Sequence, residues 1–226
     1  MVVTGASRGL GRAVAEGFAA EGARLVVTAT ASNRLEGTLT RLRERGAAEA
    51  HGIGMDLSAP EEVAAAAAEA LAVLGRVDVL VNNASLLGER RPLGDYPLDL
   101  WRQVMEVNLT GTFALTRALL AGLADEGAII NVTSGAAGRA GWGAYSVSKL
   151  ALEGVTGMLR DELADRRIRC VAVNPGPVRT QMRAAAYPRE DPATVPRPST
   201  VVEVFLAIAA GADPGLRVDA AQWVAS

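Results

Sequence analysis

Tyr145 and Lys149 stand four positions apart in a stretch from about Ala144 to Asp165 that reads as a helix, so their side chains share one face. A phenol ordinarily titrates near about 10, too high for ready proton exchange at neutral pH. An ammonium within several ångströms favours the phenolate and lowers that value. A tyrosine so tuned can protonate a carbonyl oxygen or deprotonate an alcohol. Ser134 closes the apolar run Ala128-Ile129-Ile130-Asn131-Val132-Thr133 and could hydrogen-bond the same oxygen, with Thr133 in reserve. A lone Tyr-x-x-x-Lys also occurs by chance on many solvated helices. Here it has company: a glycine turn at the head of the chain, a strand-end serine before it and Pro175-Gly176 after the next strand.

The glycine turn must position whatever these groups act with. Thr4-Gly5-Ala6-Ser7-Arg8-Gly9-Leu10-Gly11 follows the apolar Met1-Val2-Val3 and runs into Arg12-Ala13-Val14-Ala15-Glu16-Gly17-Phe18. That is strand, turn, helix. Glycines serve such a turn in three ways: tight reversal, close approach to a phosphate, and close helix–strand packing. The helix start offers free N–H groups and the positive end of its dipole, for which a pyrophosphate is the natural guest. No Lys-Ser or Lys-Thr follows, which disfavours a P-loop. The bland alternative is a strand–helix turn without a ligand.

Strand and helix signals alternate down the chain. Strands are expected at 24–29, within 50–55, and at 77–81, 128–133 and 168–173, with a short seventh near 217–219. Helices are expected between them, including a long one at about 98–124. Ser58-Ala59-Pro60-Glu61 reads as a capping box, and Thr200-Val201-Val202-Glu203 as the cap of the last helix. Residues 179–198 read as proline-rich and irregular, a short substrate-side segment spanning about 177–198. The fold expected is α/β: one domain over residues 1–226 with a doubly wound parallel sheet and helices on both faces. Ligands of such sheets sit at the carboxyl ends of the strands, and Asp56, Asn83, Ser134 and Asn174-Pro175-Gly176 fall at those ends.

The 226 residues suffice for one sizeable core; half are hydrophobic, and the net charge of −2 comes with no basic block. Nucleic acid and anionic membranes are therefore poor partners. No apolar stretch reaches the about 20 residues that cross a bilayer, and the start does not read as a signal peptide. The first strand is short enough that residues upstream of Met1 could be missing. Cys170, the single cysteine, reads as a buried small hydrophobe in a cytoplasmic protein. His51, the single histidine, leaves no His-dependent triad or metal site and reads as a partly buried strand residue. Glu61 and Glu62 read as helix-start carboxylates favoured by the dipole. Arg90-Arg91 reads as a solvated loop near the end of the fourth strand, and Trp142 as pocket-rim packing or a substrate platform. Trp101 and Trp223 read as packing.

Together these motifs resemble the short-chain dehydrogenase/reductase family along almost the whole chain, close to a bacterial subgroup of oxidoreductases. The resemblance implies a Rossmann fold with cofactor contacts from Gly5, Ser7, Arg8, Gly9, Leu10 and Gly11 in the turn. It implies an adenine contact from Asp56 with Leu57 beside it, and Thr30 near the ribose. It matches Asn82-Asn83-Ala84-Ser85 to the family's Asn-Asn-Ala-Gly, and Pro175, Gly176, Val178 and Thr180 to the nicotinamide side. It makes Tyr145 the acid/base, Ser134 the polarising hydroxyl, Lys149 the ribose anchor that tunes Tyr145, and Asn108 the holder of a relay water. Three departures stand out. Ser85 replaces a glycine, and Ser134 lies only eleven positions before Tyr145, shortening the loop from Gly135 to Gly143. The segment after Thr180 is also short for a substrate lid, which leaves the pocket open or completed by another subunit.

The function expected is an NAD(P)-dependent oxidoreductase interconverting a small-molecule carbonyl and a secondary alcohol. A dinucleotide-binding sensor with little turnover is the rival from another class, and a sugar-nucleotide epimerase a third. An NAD-selective site carries a carboxylate about 20 residues past the glycines. Here that end reads Ala29-Thr30-Ala31-Ser32-Asn33, so NADP(H) is the expected preference with NAD(H) possible, and Arg8 can bond a 2′-phosphate. Small residues Ala151, Gly154 and Gly157 on apolar helices point to a homodimer or homotetramer.

Overall fold

The computed structural model describes residues 1–223. Seven strands form one sheet in the order β3-β2-β1-β4-β5-β6-β7, every neighbouring pair parallel. They are β1 (Val2–Val3), β2 (Arg24–Ala29), β3 (Glu49–Gly54), β4 (Val77–Asn82), β5 (Leu123–Val132), β6 (Arg169–Asn174) and β7 (Arg217–Asp219). The helices are α1 (Gly9–Ala20), α2 (Glu36–Glu44), α3 (Pro60–Leu74), α4 (Leu98–Met105), α5 (Thr112–Leu119), α6 (Gly143–Glu162), α7 (Gln181–Ala186) and α8 (Val202–Ala209).

Side chains of successive strand residues point to opposite faces, so a strand covered on both sides is apolar at every position. Val3, Val27, Val81 and Ile130 pack with Val14, Phe18 and Phe205 of α1 and α8 on one face. Val2, Val26, Leu80, Ile129 and Cys170 pack with Ala66, Leu115 and Leu159 of α3, α5 and α6 on the other. Burial pushes the Cys170 thiol up to about 12, as befits a packed hydrophobe. The strand order reverses between β1 and β4, and the crevice at that switch point lies at the carboxyl ends of both. This is the doubly wound single domain that the alternation of signals implies.

Several local expectations are corrected. The long helical region ends at Gly122, and a π-helical turn, Glu106–Gly111, separates α4 from α5. Such wide turns tend to mark functional sites. Strand β5 starts at Leu123 and so takes over the residues expected to close the helix. Ser58 does not cap α3. Its N–H and hydroxyl both bond Asp56 Oδ1, at 2.8 and 2.7 Å, while the Asp56 N–H donates to Glu62 at 2.8 Å. The aspartate's short acceptor bonds the backbone two residues on and outcompetes the serine. Thr200 likewise spends its hydroxyl on Arg197 O at 2.8 Å, and α8 begins at Val202 after a 3₁₀ turn. The irregular segment contains α7, capped by Thr180, whose Oγ1 accepts from the Arg183 N–H at 3.1 Å.

His51 is half-buried on β3 and pairs with Glu69 at 2.7 Å. No described helix is long and apolar enough to cross a membrane, and among the described residues no cluster of His, Cys, Asp and Glu could hold a metal ion.

Candidate active site

The carboxyl ends of β1, β2, β4, β5 and β6 open onto one cleft of about 840 Å³. Every residue that the sequence places at a site lines it, except Gly11 and Asn108.

Gly11 has a packing role. A Cβ there would lie 2.4 Å from Asn83 Nδ2 and 2.5 Å from Gly5 O, so α1 could not sit so close to the turn with any other residue. Gly5 has φ +65°, and its Cβ would lie 2.8 Å from Ala84 Cα. The end of β4 buttresses this turn. Asn83 Nδ2 donates to Thr4 O at 2.9 Å and to Gly5 O at 3.2 Å, and Thr4 Oγ1 accepts from the N–H groups of Asn83 and Ala84 at 3.0 Å each. Arg8 is the N-cap of α1 and offers no side-chain acceptor. The first-turn N–H groups therefore have no partner within the helix. Ser85 Oγ is buried in the cleft wall with no hydrogen-bond partner among the described residues.

At the far end of the cleft lie Arg8, Thr30, Asp56 and Leu57, joined by Arg34. Arg34 escapes a motif reading because it lies past the strand end in a 3₁₀ turn. Its guanidinium donates to Thr30 Oγ1 at 3.3 Å. No acidic side chain from the end of β2 lines this part of the cleft.

At the near end stand Tyr145, Lys149 and Ser134. Tyr145 and Lys149 are both buried on the first turns of α6. Lys149 Nζ donates to Val132 O at 2.8 Å and lies 5.8 Å from the centre of the Tyr145 ring. Burial lowers its titration to about 8. The expected lowering of Tyr145 by the ammonium is overturned. Burial raises the phenol, and the nearby Ser134 hydroxyl opposes the shift in part. The lysine is directed at a strand-end carbonyl, so Tyr145 keeps its proton at neutral pH.

Ser134 and Tyr145 line the same cleft across the shortened loop, and Ser134 Oγ accepts from the Ala136 N–H at 3.1 Å. That loop turns tightly through Gly138, Gly141 and Gly143 at positive φ; at Gly143 a Cβ would strike the Tyr96 ring at 1.9 Å. Thr133 is removed as the reserve, because its hydroxyl donates to Glu153 at 2.6 Å.

Asn108 sits behind the cleft on the π-helical turn. Its Oδ1 accepts from the Leu86 N–H at 2.7 Å, and its Nδ2 donates to Leu86 O at 2.8 Å and to Ser148 Oγ at 3.0 Å. Ser148 in turn donates to Tyr145 O at 2.8 Å. The asparagine clamps the β4 loop to the turn of α6 that carries Tyr145.

Beyond Tyr145 the wall comes from Leu86, Leu87, Val107, Trp142, Met182 and Tyr187. None but Trp142 was legible as a pocket residue in the sequence, because none stands in a motif. Arg90 and Arg91 are exposed, as expected of a solvated loop, but Arg90 is not loose. Its guanidinium lies 4.4 Å from the Trp142 ring centre and 4.8 Å from that of Tyr187, and it donates to Ala186 O at 2.6 Å. Trp142 is buried in this stack. Trp101 packs edge-on against Tyr96, with ring centres 6.3 Å apart.

A sequence profile of the short chain dehydrogenase family matches residues 1–191. The uncharacterized oxidoreductase YciK of Escherichia coli K12 is 36% identical over 212 residues, covering 91% of this chain and 84% of the relative. The 3-oxoacyl-[acyl-carrier-protein] reductase FabG of Aquifex aeolicus is 36% identical over 187 residues, covering 81% and 75%. Among solved structures, a short chain dehydrogenase from Escherichia coli CFT073 complexed with NADPH superposes with a TM-score of 0.90 at 33% identity, covering 97% of this chain and 95% of that one.

Proposed function

We propose that this chain, which belongs to the short-chain dehydrogenase family, is an NADPH-dependent carbonyl reductase that can also run as a secondary alcohol dehydrogenase. Oxidoreduction of CH–OH and C=O groups with NAD(P) follows from the family; the cofactor preference, direction and residue roles are our reading. One observation carries it: Ser134, Tyr145 and Lys149 share a cleft with the glycine turn.

The cleft suits a dinucleotide. Glycine positions that a Cβ would fill, an uncapped helix start and the unpartnered Ser85 hydroxyl all lie along it. Phosphates would be held by Gly5, Ser7, Gly9 and Leu10, with Gly11 permitting the close packing. The adenine would lie by Asp56 and Leu57, and a 2′-phosphate by Arg8, Thr30 and Arg34. Asn83, Ala84 and Ser85 would flank the middle, and Lys149, Pro175, Gly176, Val178 and Thr180 the nicotinamide. NADPH bound to a related structure supports this choice. Held by these residues, a nicotinamide would supply the hydride chemistry that interconverts the carbonyl and the alcohol.

Ser134 donates a hydrogen bond to the substrate oxygen and holds it against Tyr145. Tyr145 gives its phenolic proton to that oxygen as negative charge develops there. Lys149, cationic below about pH 8, supplies fixed positive charge beneath the site. Asn108 holds the α6 turn through Ser148 and Leu86. The raised phenol favours the reductive direction, since reduction needs the protonated form. The buried Tyr145 and Lys149, lining the cleft together with Ser134, speak against a turnover-deficient sensor. The buried thiol of Cys170 supports a cytoplasmic setting, and exposed apolar side chains on α5 and α6 support a homodimer or homotetramer.

The test is nicotinamide absorbance with a panel of ketones, quinones, diketones and 3-oxoacyl thioesters. NADPH consumption with at least one, abolished in Tyr145→Phe, is expected. NADPH binding without consumption across the panel would return the sensor reading.

A further inference from the structure

We infer that the substrate of this cleft is an uncharged, ring-bearing carbonyl compound, selected by an apolar wall in which every nearby cation is already engaged. This rests on the carbonyl-reductase reading and deepens it.

Charge is the first observation. The charged residues lining the cleft are Arg8, Arg34 and Asp56 at the far end, and Lys149 and Arg183 at the near end. Lys149 is buried against Val132 O. Arg183 forms a two-pronged pair with Glu190, Nε to Oε2 at 2.7 Å and Nη2 to Oε1 at 2.6 Å, and its guanidinium lies 3.8 Å from the Tyr187 ring centre. Bidentate pairing uses the donor fork that a substrate carboxylate or phosphate would need. Arg90, next outward, lies over the rings of both Trp142 and Tyr187 and is bonded to Ala186 O. An anionic substrate arriving here would lose water and find no cation free to replace it.

Shape and polarity are the second observation. Trp142 and Tyr145 have ring centres 6.1 Å apart, and Trp142 and Tyr187 5.8 Å apart, within the range of packed aromatic pairs. With Leu86, Leu87 and Met182 they give the near end an apolar body. Thioether and aromatic surfaces of this kind favour rings. Ser134 and Tyr145 supply hydroxyls for one oxygen, and the further polar side chains of the cleft near them, Gln103, Asn174 and Gln181, are uncharged. Arg90 makes the wall a unit, because it ties the β4 loop, the loop before α6 and the end of α7 together.

The test compares two ketones of one shape and different charge, 4-methylacetophenone and 4-acetylbenzoate. Calorimetric titration into the full chain, with and without saturating NADPH, reads binding independently of turnover. At least tenfold tighter binding of the methyl compound is expected. In Glu190→Gln, which frees Arg183, 4-acetylbenzoate should gain at least fivefold while 4-methylacetophenone changes less than twofold. Equal affinity, tighter binding of the carboxylate by the wild-type protein, or no binding of either compound would overturn the inference. Absorbance assays on the same pair report separately on the parent reading: selective binding without NADPH consumption keeps the selectivity and removes the reductase.

Discussion

Lys149 Nζ donates to the carbonyl of Val132 at 2.8 Å, so the last residue of β5 holds the one ammonium buried beneath the cleft among the described residues. That placement lowers the amine from its ordinary 10.5 to about 8, a cost of roughly 3 kcal/mol at about 1.4 kcal/mol per tenfold. Below about pH 8 both folded and unfolded chains hold the proton, and the full cost of burying the charge is present. Between about 8 and 10.5 the unfolded chain binds more protons than the folded one, so this group's contribution to stability rises with pH. Lys149→Met should therefore melt at a higher temperature than wild type at pH 7, less the loss of one hydrogen bond, with the difference shrinking toward pH 10. The same variant should bind NADPH more weakly. Thermal melts across pH check the first claim and fluorescence titration the second; a destabilised Lys149→Met at pH 7 would reject the assigned cost.

Tyr145→Phe removes only the ionisable oxygen. Turnover should fall at least a thousandfold while NADPH affinity stays within threefold. Because burial raises the wild-type phenol, carbonyl reduction should lose no rate to Tyr145 ionisation through neutral pH. Alcohol oxidation, which needs the phenolate, should climb with pH. A reductive rate that falls with an apparent pKa near 7 would show instead that the phenol is lowered.

Arg8 and Arg34 both line the far end of the cleft. Each charge-assisted bond to a 2′-phosphate should contribute about 1.5–3 kcal/mol. Arg8→Ala and Arg34→Ala should each weaken NADPH by roughly tenfold or more while leaving NADH within twofold. Equal catalytic efficiency of wild type with the two cofactors would remove the preference.

Phe113 on α5 and Leu150 and Met158 on α6 are exposed, Met158 by 63%. A Cβ at Gly154, between the latter two, would meet nothing within 4 Å. The chain's own packing does not require that glycine, whereas a second subunit lying flat on α6 would. Light scattering at micromolar concentration should give a dimer or tetramer. Gly154→Arg should shift it toward monomer, and a wild-type monomer would defeat the assignment.

Much of this protein follows from short-range pattern. Alternating apolar runs specify the strands, because a sheet covered on both faces needs apolar side chains at every position. Glycines spaced around a strand end specify the phosphate turn, and Tyr145 with Lys149 one helical turn apart specify a shared face. Each signal involves residues within about a dozen positions of one another, and propensity and spacing act over that range. What the tertiary structure alone decided depends on partners far apart in the chain. Arg90 meets Ala186 across 96 positions, and Asn108 meets Ser148 across 40. Ser134 and Thr133 have hydroxyls of similar chemistry in adjacent positions just past β5, and only the folded chain gives the second to Glu153 while leaving the first in the cleft wall with Tyr145. The direction of the Tyr145 shift was decided in the same way. Spacing places an ammonium near the phenol, but burial and the strand-end carbonyl determine what that ammonium bonds.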